Sequence, residues 1–129
     1  MKLELQDKLV NRFPKMFRGV HKPMTETAMC WGFECGDGWY DIIYRLCEDI
    51  EKLNPPDDFE VSQVKEKYGT LRFYTWGSTD AIEDRIDEAE KESAKTCEWC
   101  GEFGKLRGKG WVTTLCAGCY EEYLDGKRR

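Results

Sequence analysis

The spacing of the hydrophobic residues predicts three helices. One covers residues 3–13, where large apolar side chains recur every four residues until Pro14. A stronger one covers residues 39–53, where an apolar stripe faces a charged one; the stripe consists of Trp39, Ile42, Ile43, Leu46, Cys47, Ile50 and Leu53. The third covers residues 80–95, with a thin apolar stripe and a wide charged face, and we expect Asp80 to cap it.

Between the second and third helices the pattern changes to one typical of strands. Residues 59–66 and 71–76 are rich in β-branched and aromatic side chains, and Gly69 lies in the short segment between them. This order predicts a β-hairpin. Residues 14–38 contain several Pro and Gly and have no sustained period, so they predict a loop with one short strand near residues 28–31.

Composition and charge narrow the class of protein. The chain is 40% hydrophobic and 13% aromatic, which is enough for a folded core. No stretch approaches the roughly 18 apolar residues of a membrane span, and the first residues lack the apolar segment of an export signal. We therefore expect a cytoplasmic protein with no membrane partner. The net charge of −5 disfavours broad nucleic-acid binding but allows a local basic contact.

Four of the seven cysteines form two Cys-x-x-Cys pairs in the last third of the chain. Fifteen residues separate the pairs, which is the spacing of a zinc site; the ligands would be Cys97, Cys100, Cys116 and Cys119. Four thiolates complete the tetrahedron that Zn²⁺ prefers and leave no position for a catalytic water. The sequence therefore predicts one structural zinc ion. Disulfides would need a secreted setting, and redox pairs would need a thioredoxin-like context.

The residues between the two cysteine pairs predict a small hairpin around a Gly-Lys-Gly turn, which is the plan of a zinc ribbon. The fold class expected for the whole chain is α+β. A small helix-plus-β-hairpin core domain would occupy residues 1–95, and a zinc-ribbon module with four cysteine ligands would occupy residues 96–129.

Basic and aromatic side chains on the ribbon are candidates for contact with a partner. Lys105, Arg107 and Lys109 could meet a partner or nucleic-acid phosphate, or they could form a solvated hairpin tip. Trp99 and Trp111 could stack on bases, or they could cover the small core of the ribbon. On the first hairpin, three more basic residues either pair with the acidic third helix or face an acidic partner; they are Lys65, Lys67 and Arg72.

A second candidate site lies in the segment ECGDGW at residues 34–39. Glu34 and Asp37, with Asp41 four residues further on, could hold a divalent cation or transfer protons. The other interpretation is that Asp37 or Gly38 caps the helix that begins near Trp39.

Four further side chains are potential ligands of a second metal ion. They are His21, Cys30, Cys35 and Cys47, and their spacing matches no standard site. Cys47 lies on the apolar face of the second helix, so we expect it in the core. Whether these residues bind a metal stays open at this point.

Three strings of the sequence resemble a group of uncharacterised short proteins encoded by bacteriophages, prophages and some bacteria. They are ECGDGWYDIIYRLCEDIE (34–51), QVKEKYGTLRFY (63–74) and CEWCG (97–101). The resemblance covers most of residues 34–119 and implies the cytoplasm of an infected or lysogenic bacterium. In this group a histidine sometimes takes the last ligand position, which here is Cys119. The resemblance implies a setting and no mechanism.

Three functions agree with these features. The first is a small zinc-binding accessory protein of phage type that binds a host macromolecule, with a host protein ranked before nucleic acid. The second is a nucleic-acid-binding zinc-ribbon protein that uses Lys105, Arg107 and Lys109. The third is a metal-dependent hydrolase or nuclease built on Glu34, Asp37 and Asp41, and the lack of a catalytic constellation ranks it last.

Overall fold

The computed structural model describes residues 1–126 and shows an α+β fold, as the sequence predicts. The helices and strands are α1 (Leu3–Arg12), β1 (Phe33–Glu34), α2 (Tyr40–Lys52), β2 (Glu60–Lys67), β3 (Thr70–Trp76), α3 (Asp80–Ser93), β4 (Lys105–Arg107), β5 (Thr113–Leu115) and α4 (Ala117–Leu124). Single 3-10 turns occur at Arg18–His21, Met29–Trp31 and Asp37–Trp39. Within the described residues, no helix is long and apolar enough to cross a lipid bilayer.

The core sheet has the strand order β1-β2-β3. The predicted hairpin is confirmed, because β2 and β3 pair antiparallel up to Lys67 and Thr70. The third strand, β1, adds to the free edge of β2 in parallel. The strand predicted near residues 28–31 is wrong, because Thr27 Oγ1 accepts the Met29 N–H at 3.1 Å and this local bond favours a turn.

The three predicted helices are confirmed, and they enclose one hydrophobic core against the sheet. Its fully buried side chains include Leu9 from α1, Leu46 from α2 and Ile82 from α3. Cys47 is also fully buried, as its place on the apolar stripe predicts. Burial of each such side chain contributes about 1.5–3 kcal/mol, so this cluster is the main source of stability.

The cap of α3 differs from the prediction. Thr79 precedes the helix, and its Oγ1 accepts the Ile82 N–H at 3.2 Å, so Thr79 is the capping residue. Asp80 is the first residue of the helix instead. Both residue types cap well, and the extended backbone of Thr79 determines which side chain reaches the free N–H groups.

Ion pairs tie the charged face of α3 to the rest of the core. Arg45 contacts Glu92 at 2.8 Å, Arg85 contacts Asp49 at 2.7 Å, and Arg72 contacts Glu90 at 3.4 Å. Of the three basic residues predicted to pair with this helix, Arg72 does so. The ion pairs found among the described residues involve neither Lys65 nor Lys67.

The residues after α3 form a compact unit, here called the ribbon (residues 96–126). Strands β4 and β5 pair antiparallel as predicted, with Lys105 opposite Leu115. Helix α4 follows β5 and was not among the predicted helices. Its signal in the sequence is weak, because its eight residues offer one helical turn of apolar spacing from Tyr120 to Leu124. Residues 127–129 of the predicted module lie outside the described part of the chain.

Candidate metal centre

The four cysteines of the ribbon converge on one point. The sulfur atoms of Cys97, Cys100, Cys116 and Cys119 all lie within 4.8 Å of one another. The Sγ atoms of Cys100 and Cys116 are 3.7 Å apart. A metal ion that binds four sulfurs tetrahedrally at about 2.3 Å holds them about 3.8 Å apart, whereas a disulfide needs about 2.05 Å. The cluster therefore has the dimensions of a site for one tetrahedral metal ion, and all four cysteines are free thiols.

A tight turn and a helix start aim these sulfurs. In the first pair, the Gly101 N–H donates to the Cys97 carbonyl at 3.0 Å and closes the turn. In the second pair, Cys116 precedes α4, and its sulfur accepts the Cys119 N–H at 3.4 Å. This hydrogen bond lowers the pKa of Cys116 to about 7, so the thiolate that binds a metal forms readily at this residue.

Two of the other sulfurs, those of Cys119 and Cys100, must release protons before they bind a metal. Burial raises the pKa of Cys119 and, to a smaller extent, that of Cys100. A metal ion must therefore displace protons from these thiols, which makes binding weaker as the pH falls. All four ligand positions are filled by sulfur, so the arrangement can hold an ion in place but offers it no open coordination position.

The segment ECGDGW forms the surface on which the first cysteine pair rests. The Gly38 N–H donates to the Glu98 carbonyl at 2.8 Å, and the Gly36 N–H donates to Glu98 Oε2 at 2.9 Å. The buried indole of Trp39 donates through Nε1 to the Thr96 carbonyl at 2.9 Å. These bonds join the core to the ribbon, while the predicted division into domains 1–95 and 96–129 stays a prediction.

The two glycines are required by how closely the backbones approach. A Cβ on Gly38 would lie 2.1 Å from the Cys97 carbonyl oxygen, and a Cβ on Gly36 would lie 2.2 Å from the Glu98 carbonyl oxygen. Both oxygens belong to the backbone and not to a flexible side chain, so a larger residue at either position would move the turn of the first cysteine pair. The two glycines of ECGDGW are thus explained by the close packing of this segment against the turn of the first cysteine pair.

The capping role predicted for Asp37 is wrong. Its Oδ1 accepts the backbone N–H of Lys2 at 2.7 Å, and α2 begins without a side-chain cap. This contact uses Asp37 to hold the first residues of the chain against the 3-10 turn before α2. The same contact limits how freely Asp37 could bind a cation.

The structure does not gather the predicted carboxylates into a metal site. Glu34 is exposed at the end of β1 near Gln63, and Asp41 is exposed on α2. Among residues 1–126, the four cysteines are the group of three or more potential ligands that lie close enough to share an ion. Neither Glu34, Asp37 and Asp41 nor the set of His21, Cys30, Cys35 and Cys47 forms such a group in this part of the chain.

Cys35 and Cys47 are buried in the core, outside the metal cluster. Desolvation raises the pKa of Cys35 to about 12 and raises the pKa of Cys47 well above its ordinary value. Both side chains therefore remain protonated at neutral pH and pack as small apolar groups.

The basic residues of the ribbon divide into two kinds. Arg107 donates through Nε to the Leu115 carbonyl at 2.8 Å and lies over the Tyr120 ring at 5.4 Å, so it fastens α4 to the hairpin. Lys105 and Lys109 are exposed, and neither takes part in the ion pairs found within residues 1–126. The three residues were predicted together because the sequence alone does not show which side chain of this strand faces inwards.

A cleft of about 270 Å³ lies where the core hairpin meets the ribbon, and we call it the hairpin–ribbon cleft. It is lined by Lys65, Glu66, Lys67, Tyr68, Gly110, Trp111 and Val112. Tyr68 is 72% exposed and Trp111 is 77% exposed, so each offers most of its ring to solvent. Trp99, in contrast, packs against the small core around Cys97 and Leu115, as one of the two interpretations predicts.

Comparisons with protein-family models, with curated proteins and with solved structures found no match to this chain.

Proposed function

We propose that the protein is a zinc protein in which one structural Zn²⁺ holds the ribbon against the core. The observation that carries this proposal is the group of four sulfurs within 4.8 Å of one another. Four-thiolate tetrahedral sites are typical of zinc among the metals available to proteins. The ion stabilises a segment whose own buried core is too small to fold alone, since that core centres on Cys97, Leu115 and Cys119.

The metal content of the protein tests this proposal. Protein purified under reducing conditions is expected to contain one zinc ion per chain, and a Cys119→Ser variant is expected to bind it more weakly. A Cys30→Ser variant is the matched control, because Cys30 lies outside the cluster. Iron in place of zinc, or equal zinc retention in both variants, would contradict the proposal.

We further propose that the protein acts by binding another macromolecule, as a small accessory protein in the cytoplasm of a phage-infected or lysogenic bacterium. The setting rests on the three strings that resemble phage and prophage proteins. The mode of action is supported by the closed metal site and by exposed basic and aromatic side chains at the junction of core and ribbon.

The charge pattern favours nucleic acid as the bound macromolecule. Several basic residues of the core contact a carboxylate, as Arg12 does with Glu51 and Lys22 with Glu60. Lys65 and Lys67 line the hairpin–ribbon cleft, and Lys109 precedes the lining residue Gly110. None of these three lysines takes part in the ion pairs found among the described residues. Lysines without internal ion pairs can neutralise phosphates, so a net acidic protein can still present a local basic surface.

A salt-dependent binding assay tests this function. The triple variant Lys65→Gln, Lys67→Gln, Lys109→Gln is expected to lose most of its affinity for nucleic acid at moderate salt. The control is Lys15→Gln with Lys52→Gln, which removes two charges from exposed ion pairs outside the hairpin–ribbon cleft lining. Equal binding by both variants would refute the role of the cleft.

A host protein is the second candidate, and exposed apolar side chains on both parts of the molecule favour it. Phe103 is 76% exposed on the ribbon, and Trp76 is 61% exposed at the end of β3. Capture of one host protein from lysate that survives nuclease treatment and high salt, and that fails with Phe103→Ser, would support this candidate.

A further inference from the structure

We infer that the hairpin–ribbon cleft binds single-stranded nucleic acid by stacking unpaired bases on Tyr68 and Trp111. This inference rests on the proposed nucleic-acid function and specifies its ligand. One ring comes from the turn of the core hairpin and the other from the ribbon, and both line the same cleft. Lysines on the same cleft supply the charge that the backbone phosphates need.

The backbone of Tyr68 points to a function for its ring. Lys67 pairs with Thr70, so Tyr68 and Gly69 alone form the turn, and their φ angles are +53° and +85°. Such a type I′ turn strongly favours Asn or Gly at both positions. A bulky residue in the left-handed region costs about 1 kcal/mol or more. The chain therefore keeps an exposed aromatic ring at a position where it weakens the fold.

Asn54 has nearly the same φ angle as Tyr68 but with less strain. Asn54 is the second non-glycine residue with positive φ in the described chain, at +52°, and Asn adopts this conformation readily. Tyr68 gains little burial in return for its strain, because its side chain is 72% exposed. Lys67 Nζ lies over one face of the Tyr68 ring, 5.6 Å from its centre, so a cation accompanies the ring.

A hydrogen bond between the two hairpins fixes the shape of the cleft. Thr114 Oγ1, on the buried side of β5, donates to the Gly69 carbonyl at 2.6 Å. A Cβ on Gly69 would lie 2.4 Å from Leu106 Cδ1, so the turn rests directly on the ribbon. These contacts fix the ribbon hairpin, which carries Trp111, against the turn that carries Tyr68.

The exposed rings favour single strands over duplex. In a duplex the base faces are already stacked on one another, so a flat aromatic ring has no base face to cover. Unpaired bases present both faces, and any base can stack, which predicts little sequence preference. A carboxylate-rich peptide would satisfy the lysines but would offer no aromatic base faces for the two rings to stack on.

The Tyr68→Asn variant separates binding from folding. Asn suits the left-handed turn, so this variant is expected to unfold at a higher temperature than the natural protein. Its affinity for a fluorescent single-stranded oligonucleotide is expected to fall roughly 5- to 150-fold, the loss typical of one stacked base. Trp111→Ala should show a loss of the same order, and Trp31→Ala is the control because Trp31 is 65% exposed and lies outside the cleft.

The outcomes distinguish this inference from the proposed function. Binding of single strands that is unchanged in Tyr68→Asn and Trp111→Ala overturns the inference and leaves nucleic-acid binding intact. Duplex or polyglutamate bound as tightly as the single strand also overturns it. If no nucleic acid binds at low salt, the proposed function itself fails, whatever the variants do.

Discussion

The substitution Gly38→Ala tests whether ECGDGW is the docking surface of the metal-binding turn. Gly38 is far from the first ligand in the sequence, yet its N–H donates to the Glu98 carbonyl at 2.8 Å. A methyl group there would lie 2.1 Å from the Cys97 carbonyl oxygen and 2.6 Å from the Gly101 nitrogen. Both atoms belong to the turn that aims the first two sulfurs.

The size of the effect follows from these contacts. Forcing a methyl group into a well-packed region costs about 1–3 kcal/mol, and a weakened backbone hydrogen bond adds about 1 kcal/mol. We therefore expect Gly38→Ala to lower the free energy of unfolding by about 2–4 kcal/mol. Gly38 does not have a left-handed φ angle, so the loss would come from the close approach and not from backbone strain.

Urea denaturation of the zinc-loaded protein measures the loss, and competition with a zinc chelator measures the metal affinity. Both the free energy of unfolding and the zinc affinity are expected to fall in Gly38→Ala, because the shifted turn no longer presents two sulfurs correctly. Gly118→Ala is the matched control: it lies between two ligands, yet an added Cβ meets nothing within 4 Å. If the free energy of unfolding of Gly38→Ala is within about 0.5 kcal/mol of that of the natural protein, ECGDGW is not the docking surface of this turn.

Three smaller predictions follow from single contacts. Because Thr79 caps α3, Thr79→Ala should lower the free energy of unfolding by about 1 kcal/mol, and Asp80→Ala should lower it clearly less. Equal losses in thermal melts would contradict this. Arg107→Gln should destabilise the ribbon by about 1–2 kcal/mol and raise hydrogen exchange in α4, whereas Lys105→Gln should not. Burial raises the pKa of Glu98 from 4.5 to about 7, so its contribution to stability is present below pH 4.5 and is lost as the pH rises through 7. Relative to Glu98→Gln, the natural protein should therefore lose about 3 kcal/mol of unfolding free energy between pH 4.5 and pH 7 in urea melts, and a constant difference would contradict this.

The regular elements of the core could be predicted from the sequence because each depends on a local pattern. The apolar stripe of α2 and the alternation in β3 each extend over several residues, and the Gly69 turn is a strong local signal. The α4 helix and the 3-10 turn at Met29–Trp31 are short, and tertiary packing or one side-chain bond decides them. Such short segments carry too little pattern to be recognised.

The metal cluster could be predicted for a different reason. The spacing of the cysteine pairs determines a geometry by itself, without knowledge of the surrounding fold. The role of Gly38 and the internal role of Arg107 could not be predicted, because each depends on a contact between residues far apart in the sequence or on which face of a strand points inwards. The strain at Tyr68, next to the predicted Gly69 turn, could not be predicted either, because it depends on the φ angle of Tyr68.

The decisive measurement compares the zinc-loaded with the zinc-depleted protein. It follows the binding of a single-stranded oligonucleotide by each form across a range of salt. We expect the zinc-loaded protein to bind with an affinity that weakens with salt, with a slope of log K against log salt of about −2 for roughly three phosphate contacts. We also expect that removal of zinc abolishes this binding, because the ribbon then no longer holds Trp111 beside Tyr68. Equal binding with and without zinc, or none in either form, would show that the hairpin–ribbon cleft is not a zinc-dependent binding site for single strands.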